Sequence, residues 1–215
     1  MAMAKLVNQN EALVDFLDDL LSEEVEQELV DTEVEEAHQP QPQSLPDLED
    51  ALGRKLVVPD WGRQPFQAMV FKVRDLSLAV PLQSLSGVIN WVSSEVSQEA
   101  GTLLLLGQTS HAGKLVNVVD TARFVFPDEQ LTEMAEQGLG SEISRIILIN
   151  NGLIGLACDE VYEVIDIQPE QVTWRSQKTR RKWLAGTMLE EMIVLLDGET
   201  LADILAIELG LPPAN

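Results

Sequence analysis

The chain has 215 residues, of which 45% are hydrophobic, and it carries a formal net charge of −22. This length suits one domain with an appendage or two small domains. So acidic a surface repels phosphate backbones, which disfavours nucleic acid as a partner for the protein as a whole. The single cysteine excludes an intrachain disulfide and favours a reducing, cytoplasmic setting. The N-terminus lacks a signal-peptide pattern, and no uncharged apolar run approaches the roughly 20 residues of a membrane helix, so we expect no direct membrane insertion.

Residues 1–30 are predicted to contain an amphipathic helix. Within residues 10–30, apolar side chains recur at three- and four-residue steps and form one stripe opposite a face of Asp and Glu. Such a helix either folds back on its own domain or docks in a groove of another protein. Docking is favoured because a flexible linker is predicted to follow the helix, which would let the helix reach a partner protein. The expected docking face comprises Leu13, Phe16, Leu17, Leu20 and Leu21.

Residues 31–62 are predicted to be an acidic, proline-rich linker. They include DTEVEEAHQPQPQSLPDLED, and four prolines precede Trp61. This composition cannot bury enough apolar surface to offset chain entropy. Residues 1–60 hold 16 acidic and 3 basic residues and so carry −13 of the total charge.

Residues 63–212 are predicted to form a mostly β domain. FQAMVFKV and LSLAVPL flank the pair Arg74-Asp75, and RIILIN and LIGLAC flank Asn151-Gly152. The Asn-Gly pair tolerates the positive φ angles of a type I′ turn, so both arrangements predict hairpins. Further strands are expected at 87–92, 102–107, 114–120, 161–167 and 192–197, and short helices near 121–126 and 199–209.

An internal repeat is visible in this domain. After a shift of 76 residues, eight apolar positions between Val70 and Ile89 fall on eight apolar positions between Ile146 and Ile165, without a gap. With one further residue of shift, NVVDTARFVF falls on VLLDGETLADIL, which pairs Asp120 with Asp197. Chance matching of apolar strands would seldom reproduce the turn, the spacing and both aspartates. The sequence therefore predicts two similar small β units.

The groups that catalysis needs are not gathered in any recognisable pattern. His38 lies in the linker and His111 in a predicted loop, and neither belongs to a metal-ligand pattern. Cys158 lies in an apolar, strand-like run, which favours a buried thiol over a nucleophile. Asp120 and Asp197 each follow a strand and precede a helix, which favours N-capping over a catalytic carboxylate pair. We expect no enzymatic activity, no metal and no cofactor.

Three segments resemble the CheW-like domain of bacterial chemotaxis. GQTSHAGKLVNVVD is similar to the family segment GxxNLRGxxxPVxDL, with Gly107, Gly113 and Asp120 at matching spacing. GLIGLACDEVYEVIDIQPEQV is similar to GLLVDEVxEVxxI, and MIVLLDGETLADIL is similar to the closing strand and helix of the family. The resemblance implies two intertwined, five-stranded SH3-like β-barrels. It also implies a non-catalytic scaffold that joins the histidine kinase CheA, through the kinase's CheW-like regulatory domain, to the cytoplasmic tips of chemoreceptors.

The chain departs from the family pattern at three positions. Ala112 stands where the family has an arginine important for receptor contact, Ser110 where it has asparagine, and Asn117 where it has proline. Alanine cannot replace the forked donors of a guanidinium. Together with the N-terminal helix, the segment DWGRQPF and the basic stretch described below, these departures make the chain similar to the divergent, ParP-like group of polar-flagellum clusters. That similarity implies a polar signalling array and a polar-localisation protein as a further partner.

The resemblance also implies which residues form the sites. A receptor crevice is expected near Leu85, Val88, Ile89 and a 108–113 loop that contains His111, Ala112 and Gly113, although core packing is the alternative for the three apolar residues. Structural roles are expected for Gly107, Asp120, Gly152 and Asp197.

A basic loop at residues 174–183 contrasts with the acidic chain. It holds Arg175, Lys178, Arg180, Arg181 and Lys182 between two tryptophans. Aromatic and basic side chains together can stack on bases and hold phosphates, so a nucleic-acid-binding protein is the alternative function. A solvated charge run is a third interpretation. We favour a contact for an acidic protein, with these five basic side chains in water and with Trp183 and Leu184 pointing inward.

Overall fold

The structure is a computed structural model that describes residues 56–97, 103–136, 142–176 and 181–212. The predicted docking helix and most of the predicted linker lie outside these residues. The chain divides into a larger unit, Pro59–Thr173 with Lys182–Asn215, and a smaller unit, Met1–Val58 with Trp174–Arg181.

The described part of the chain has a mostly β fold, as predicted, with more residues in strands than in helices. The strands are β1 (Phe66–Val73), β2 (Leu76–Pro81), β3 (Gly87–Asn90), β4 (Leu105–His111), β5 (Lys114–Asp120), β6 (Arg145–Ile149), β7 (Ile154–Cys158), β8 (Glu160–Ile167), β9 (Thr173–Trp174), β10 (Leu184–Met188) and β11 (Ile193–Leu196). The α-helices are α1 (Thr121–Val125), α2 (Asp128–Glu136) and α3 (Gly198–Leu209). Short 3₁₀ turns cover Asp60–Arg63, Leu82–Ser84, Ser93–Glu95, Asn150–Gly152 and Pro169–Gln171.

The strands form two sheets, consistent with the two predicted SH3-like units. One sheet has the order β8-β1-β2-β11-β10-β9, and the other has the order β3-β6-β7-β5-β4. The second sheet has the predicted five strands, and the two-residue strand β9 gives the first a sixth. In each sheet one neighbouring pair is parallel, β2 with β11 and β5 with β7.

The two repeats exchange their hairpins. The β1–β2 hairpin of the first repeat pairs with β8 and β11 of the second, and the β6–β7 hairpin of the second pairs with β3 and β5 of the first. Each sheet therefore contains strands from both repeats, which confirms the predicted repeat and the predicted intertwining. The equivalence extends to the helix starts. Asp120 Oδ1 accepts a hydrogen bond from Arg123 N at 3.3 Å, and Asp197 Oδ1 accepts one from Thr200 N at 3.1 Å, so both aspartates are N-caps as expected.

Two glycines mark equivalent places where backbones approach closely. A Cβ atom on Gly107 would lie against the carbonyl oxygen of Ser97 and 2.8 Å from Val96 Cγ1. A Cβ atom on Gly186 would lie 2.6 Å from the carbonyl oxygen of Thr173 and 2.8 Å from Val172 Cγ1. Gly107 therefore lies where a side chain would meet the backbone of Ser97, and Gly186 lies at the equivalent place in the second repeat.

The hairpin turns follow the prediction in part. Arg74 and Asp75 join β1 to β2, as expected, with Arg74 at φ 58°. The β6–β7 connection covers residues 150–153 and is longer than the predicted two-residue turn. Asn150, Asn151 and Gly152 all have positive φ (49°, 54° and 81°). Gly152 has open space around its missing Cβ, so its role is conformational and not steric.

Several other elements differ from the sequence prediction. Strand β4 covers 105–111 and not 102–107, while β3, β5, β8 and β11 lie within two residues of their predicted bounds. Strands β9 and β10 and helix α2 were not predicted. Strand β10 reads as the end of the basic loop in sequence, and α2 contains no buried residue that would create an apolar stripe.

Candidate partner-binding site

A groove of about 220 Å³ lies against the five-stranded sheet. It is lined by residues of the two edge strands β3 and β4, of the segment that follows β3, and of β6. Its floor includes Ile146, which is 1% exposed, and Ile89, which packs against the buried cluster of this sheet. We call it the β3–β4 groove. It is lined by Ile89, Asn90, Val92, Glu95, Val96, Thr109, Ser110, His111 and Ile146. The mixture of aliphatic, hydroxyl and single charged side chains suits a protein partner better than a small anion.

Hydrogen bonds fix β4 at one side of this groove. Ser97 N donates to Gln108 O at 2.8 Å and Gln108 N donates to Ser97 O at 2.9 Å, which ties the segment after the Ser93–Glu95 turn to β4. Gln108 Nε2 donates to Asn117 Oδ1 at 2.8 Å, and Asn117 Nδ2 donates to Leu153 O at 3.2 Å. Asn117, at the position where the resemblance has proline, thus connects β4 through β5 to the β6–β7 turn.

The structure brings only some of the predicted crevice residues together. Ile89 and His111 both line the β3–β4 groove. Val88 is 36% exposed and does not line the groove. Leu85 is half-buried in the β2–β3 connection, where its N–H donates to Leu82 O at 3.0 Å, and it does not line the groove.

The prediction of a loop at residues 108–113 is wrong. Residues 108–111 continue β4, because their backbone pairs in register with β5. Only Ala112 and Gly113 form the turn, with φ of 50° and 77°. Both are exposed and directly follow His111, so the position at which the family carries arginine lies beside one end of the groove.

Sequence reasoning missed several groove residues. Val92, Glu95 and Val96 follow β3, and their position depends on the 3₁₀ turn at Ser93–Glu95 and on the bridge to Gln108. The repeat gives no help here, because a shift of 76 residues relates Ser97 to Thr173 of the two-residue strand β9, which the sequence did not predict either.

The basic loop is described only in part, because residues 177–180, with Lys178 and Arg180, lie outside the described residues. The prediction that Arg175 stays in water is wrong: this residue is 5% exposed, and its Nη1 donates to Arg181 O at 2.7 Å. Arg181 is half-buried, whereas Lys182 is exposed as expected. Trp183 and Leu184 are each 4% exposed, which confirms that they point inward. Partner binding by this loop, whether to protein or to nucleic acid, remains a prediction.

Cys158 is a buried thiol, as predicted, and burial raises its pKa to about 12, with the nearby Asp159 carboxylate adding to the shift. Relative to an ordinary thiol pKa of 9.0, this lowers the thiolate population at pH 8 by about a thousandfold. We expect the native thiol to react with iodoacetamide more slowly than the thiol of the urea-unfolded chain by about that factor, as measured by mass spectrometry.

The same pKa shift sets the sign of a pH effect on stability. Between pH 9 and about pH 12 the unfolded chain loses the thiol proton while the folded chain keeps it, so the free energy of unfolding decreases as the pH rises through this range. The Cys158→Ala variant should lack this part of the alkaline loss. Equal thiol reactivity in the native and unfolded chains would contradict both expectations.

In the part of the chain that the structure describes, no group of three or more His, Cys, Asp or Glu side chains could hold a metal ion. Among the same residues, no helix combines the length and apolarity needed to cross a bilayer.

The fold and the groove define a two-sheet β protein with hairpins exchanged between its repeats. The CheW-like domain family matches residues 67–205, and the chain belongs to this family. Among solved structures, the chain is similar to the scaffolding protein TtCheW from Thermoanaerobacter tengcongensis, with 21% sequence identity and a TM-score of 0.46. That match covers 62% of this chain and 89% of the other. No protein with a curated functional description matches the sequence.

Proposed function

We propose that this protein is a non-enzymatic, cytoplasmic adaptor of a chemotaxis array that couples the histidine kinase CheA to chemoreceptor tips. The observation that carries the proposal is the match of the CheW-like domain family to residues 67–205. The solved relative is named a scaffolding protein, which is consistent with this role.

The β3–β4 groove is the proposed contact surface for the receptor tip. Ile89 and Val92 offer apolar contacts, while Thr109 and Ser110 offer hydroxyl groups that both donate and accept hydrogen bonds. A groove of about 220 Å³ accommodates a few side chains of a helix laid across it, which is one of the recurring modes of peptide recognition. The kinase is expected to bind elsewhere, through strand edges that the sheets leave unpaired.

Ser110→Arg tests the groove. Ser110 is exposed, so the new side chain places a guanidinium group on three methylene groups in the groove without being buried in the core. We expect at least a tenfold loss of affinity for a receptor-tip fragment, measured by co-elution on a sizing column and by titration calorimetry. Binding of the kinase regulatory domain should be unchanged.

The matched control is Thr132→Arg, which makes the same change of a hydroxyl side chain to arginine on the exposed surface of α2. It should leave both interactions intact. If the wild-type chain co-elutes with neither partner at micromolar concentration, the adaptor function is wrong. If Ser110→Arg and Thr132→Arg behave alike while the wild type binds, the function stands but the groove is not the receptor site.

Ala112→Arg tests the departure from the family pattern. Arginine at this exposed turn position would supply forked donors beside the groove. The backbone already holds a non-glycine residue at φ 50°, so the substitution adds little strain. We expect receptor-tip affinity to rise about tenfold, as measured by calorimetry. An unchanged affinity would mean that this chain contacts its receptor without the family's arginine position.

The proposal also covers the role of the N-terminal docking helix and the place of the array in the cell. The docking helix would recruit a polar-localisation protein and so place the array at the cell pole. A pull-down that compares the full chain with a chain lacking residues 1–60 tests this step. Kinase should be captured by both, and the additional partner by the full chain alone.

A further inference from the structure

A second groove, of about 570 Å³, lies at one end of the six-stranded sheet. At this end β1 begins and β2 and β8 finish, since Phe66 pairs with Ile167 and Ala68 with Pro81. The 3₁₀ turn Asp60–Arg63 borders it. We call it the Trp61 groove. It shares no lining residue with the β3–β4 groove, so any ligand it binds would be independent of the proposed receptor contact.

The apolar surface of the Trp61 groove consists largely of rings. Trp61 and Phe66 are half-buried and meet edge to face, with centroids 5.0 Å apart and planes at 78°. Pro65 and Pro81 add two pyrrolidine rings. Aromatic rings held in this way present flat, rigid faces, and grooves lined by them are the usual docking sites for proline-rich segments.

The polar surface of the Trp61 groove fits an extended backbone. Four glutamine side chains line the groove, and each is exposed: Gln64, Gln67, Gln83 and Gln168. Every glutamine amide offers donors and an acceptor. A polyproline II segment has no internal backbone hydrogen bonds, so its carbonyl groups need such donors when water is displaced.

Two carboxylates give this groove a negative rim. Asp166 accepts a hydrogen bond from Gln67 Nε2 at 3.0 Å, a neutral donor that leaves the charge of the carboxylate in place. Asp60 is paired with Arg63, 3.4 Å away within the same turn. A ligand with a basic residue near Asp166 would therefore gain a charge-assisted hydrogen bond, whereas a phosphate would be repelled.

We propose that the Trp61 groove binds a proline-rich segment of another protein, in polyproline II conformation and with a basic residue placed against Asp166. Residues 38–46 of this chain, HQPQPQSLP, are also proline-rich, but they contain no lysine or arginine. Charge complementarity therefore favours an external segment over the chain's own.

The test uses the full chain and synthetic peptides in titration calorimetry. The peptide RPLPPLP should bind saturably. EPLPPLP, which reverses the terminal charge, and RALAALA, which removes the prolines, should each bind at least tenfold more weakly. A peptide with the sequence HQPQPQSLP should also be weaker than RPLPPLP.

Two variants tie the binding to the groove. Asp166→Lys changes an exposed residue and should reverse the preference, weakening RPLPPLP and strengthening EPLPPLP by about tenfold each. Asp203→Lys makes the same substitution on the exposed face of α3 and should change neither. Trp61→Ala should weaken both peptides, and Ser110→Arg should weaken neither.

Three results would overturn the proposal. The first is no saturable binding of RPLPPLP at about 1 mM, the weakest affinity worth assigning to a site. The second is equal binding of RALAALA, which would remove the need for prolines. The third is tighter binding of HQPQPQSLP than of RPLPPLP, which would make the chain's own segment the occupant.

Discussion

Gly107→Ala is expected to lower the free energy of unfolding by about 4 kcal/mol, measured by urea denaturation. Two costs combine. Gly107 has φ 152°, a region that other residues enter only at about 1–3 kcal/mol. The added Cβ would also press on the carbonyl oxygen of Ser97 and on Val96 Cγ1, and overpacking of this kind costs about 1–3 kcal/mol.

Two other glycines separate these costs. Gly113→Ala keeps a positive φ of 77° but meets nothing within 4 Å, so about 1 kcal/mol is expected. Gly186→Ala has the equivalent close approach without a left-handed φ, so about 2 kcal/mol is expected. If Gly107→Ala costs no more than Gly113→Ala, the approach of Ser97 to β4 is not a rigid feature of the fold.

The same substitution should affect the β3–β4 groove. Ser97 and Gln108 exchange two backbone hydrogen bonds beside Gly107, and this bridge holds the residues that follow the Ser93–Glu95 turn against β4. A Cβ that pushes Ser97 away would widen the groove. Receptor-tip affinity should therefore decrease for Gly107→Ala and stay unchanged for Gly186→Ala, whose close approach lies in the six-stranded sheet.

The repeat was predictable from sequence because its signals are local. The Asn-Gly and Arg-Asp turns, the alternating apolar runs and an aspartate before each helix all act within a few residues. The groove was predicted only in part. It requires residues that follow β3 to lie against β4. That contact depends on the isolated β-bridge between Ser97 and Gln108, which no sequence pattern predicts.

The error at Arg175 has a different cause. A run of basic residues normally predicts exposure, because burying a guanidinium without partners is unfavourable. Here Arg181 O supplies an acceptor six residues away, and Val57 N donates to Arg175 O at 2.7 Å.

The basic loop also makes the second repeat locally longer than the first. Ser97 and Gly107 are ten residues apart in the first repeat, whereas the equivalent Thr173 and Gly186 are thirteen residues apart in the second.

The exchange of hairpins has a consequence for stability that one core substitution can test. Phe71 lies in β1, between β8 and β2, and is 0% exposed. Phe71→Ala should lower the free energy of unfolding by about 3–5 kcal/mol, through lost burial and the cavity left behind. Although Phe71 belongs to the six-stranded sheet, its strand comes from the first repeat, which also supplies β3, β4 and β5 to the other sheet.

Short connections join β2 to β3 and β7 to β8, and in each case the two strands belong to different sheets. Neither sheet can therefore unfold without disrupting the other. Amide hydrogen exchange should show this coupling: in Phe71→Ala, amides of β2 and of β7 should exchange faster by the same factor, about a hundredfold to a few thousandfold. Ile147, equivalent to Phe71 in the repeat and also 0% exposed, should give the same pattern as Ile147→Ala. The exposed control Thr132→Ala should change neither strand. Faster exchange confined to β2 in one variant and to β7 in the other would mean that the exchanged hairpins intertwine the sheets without making them a single cooperative unit.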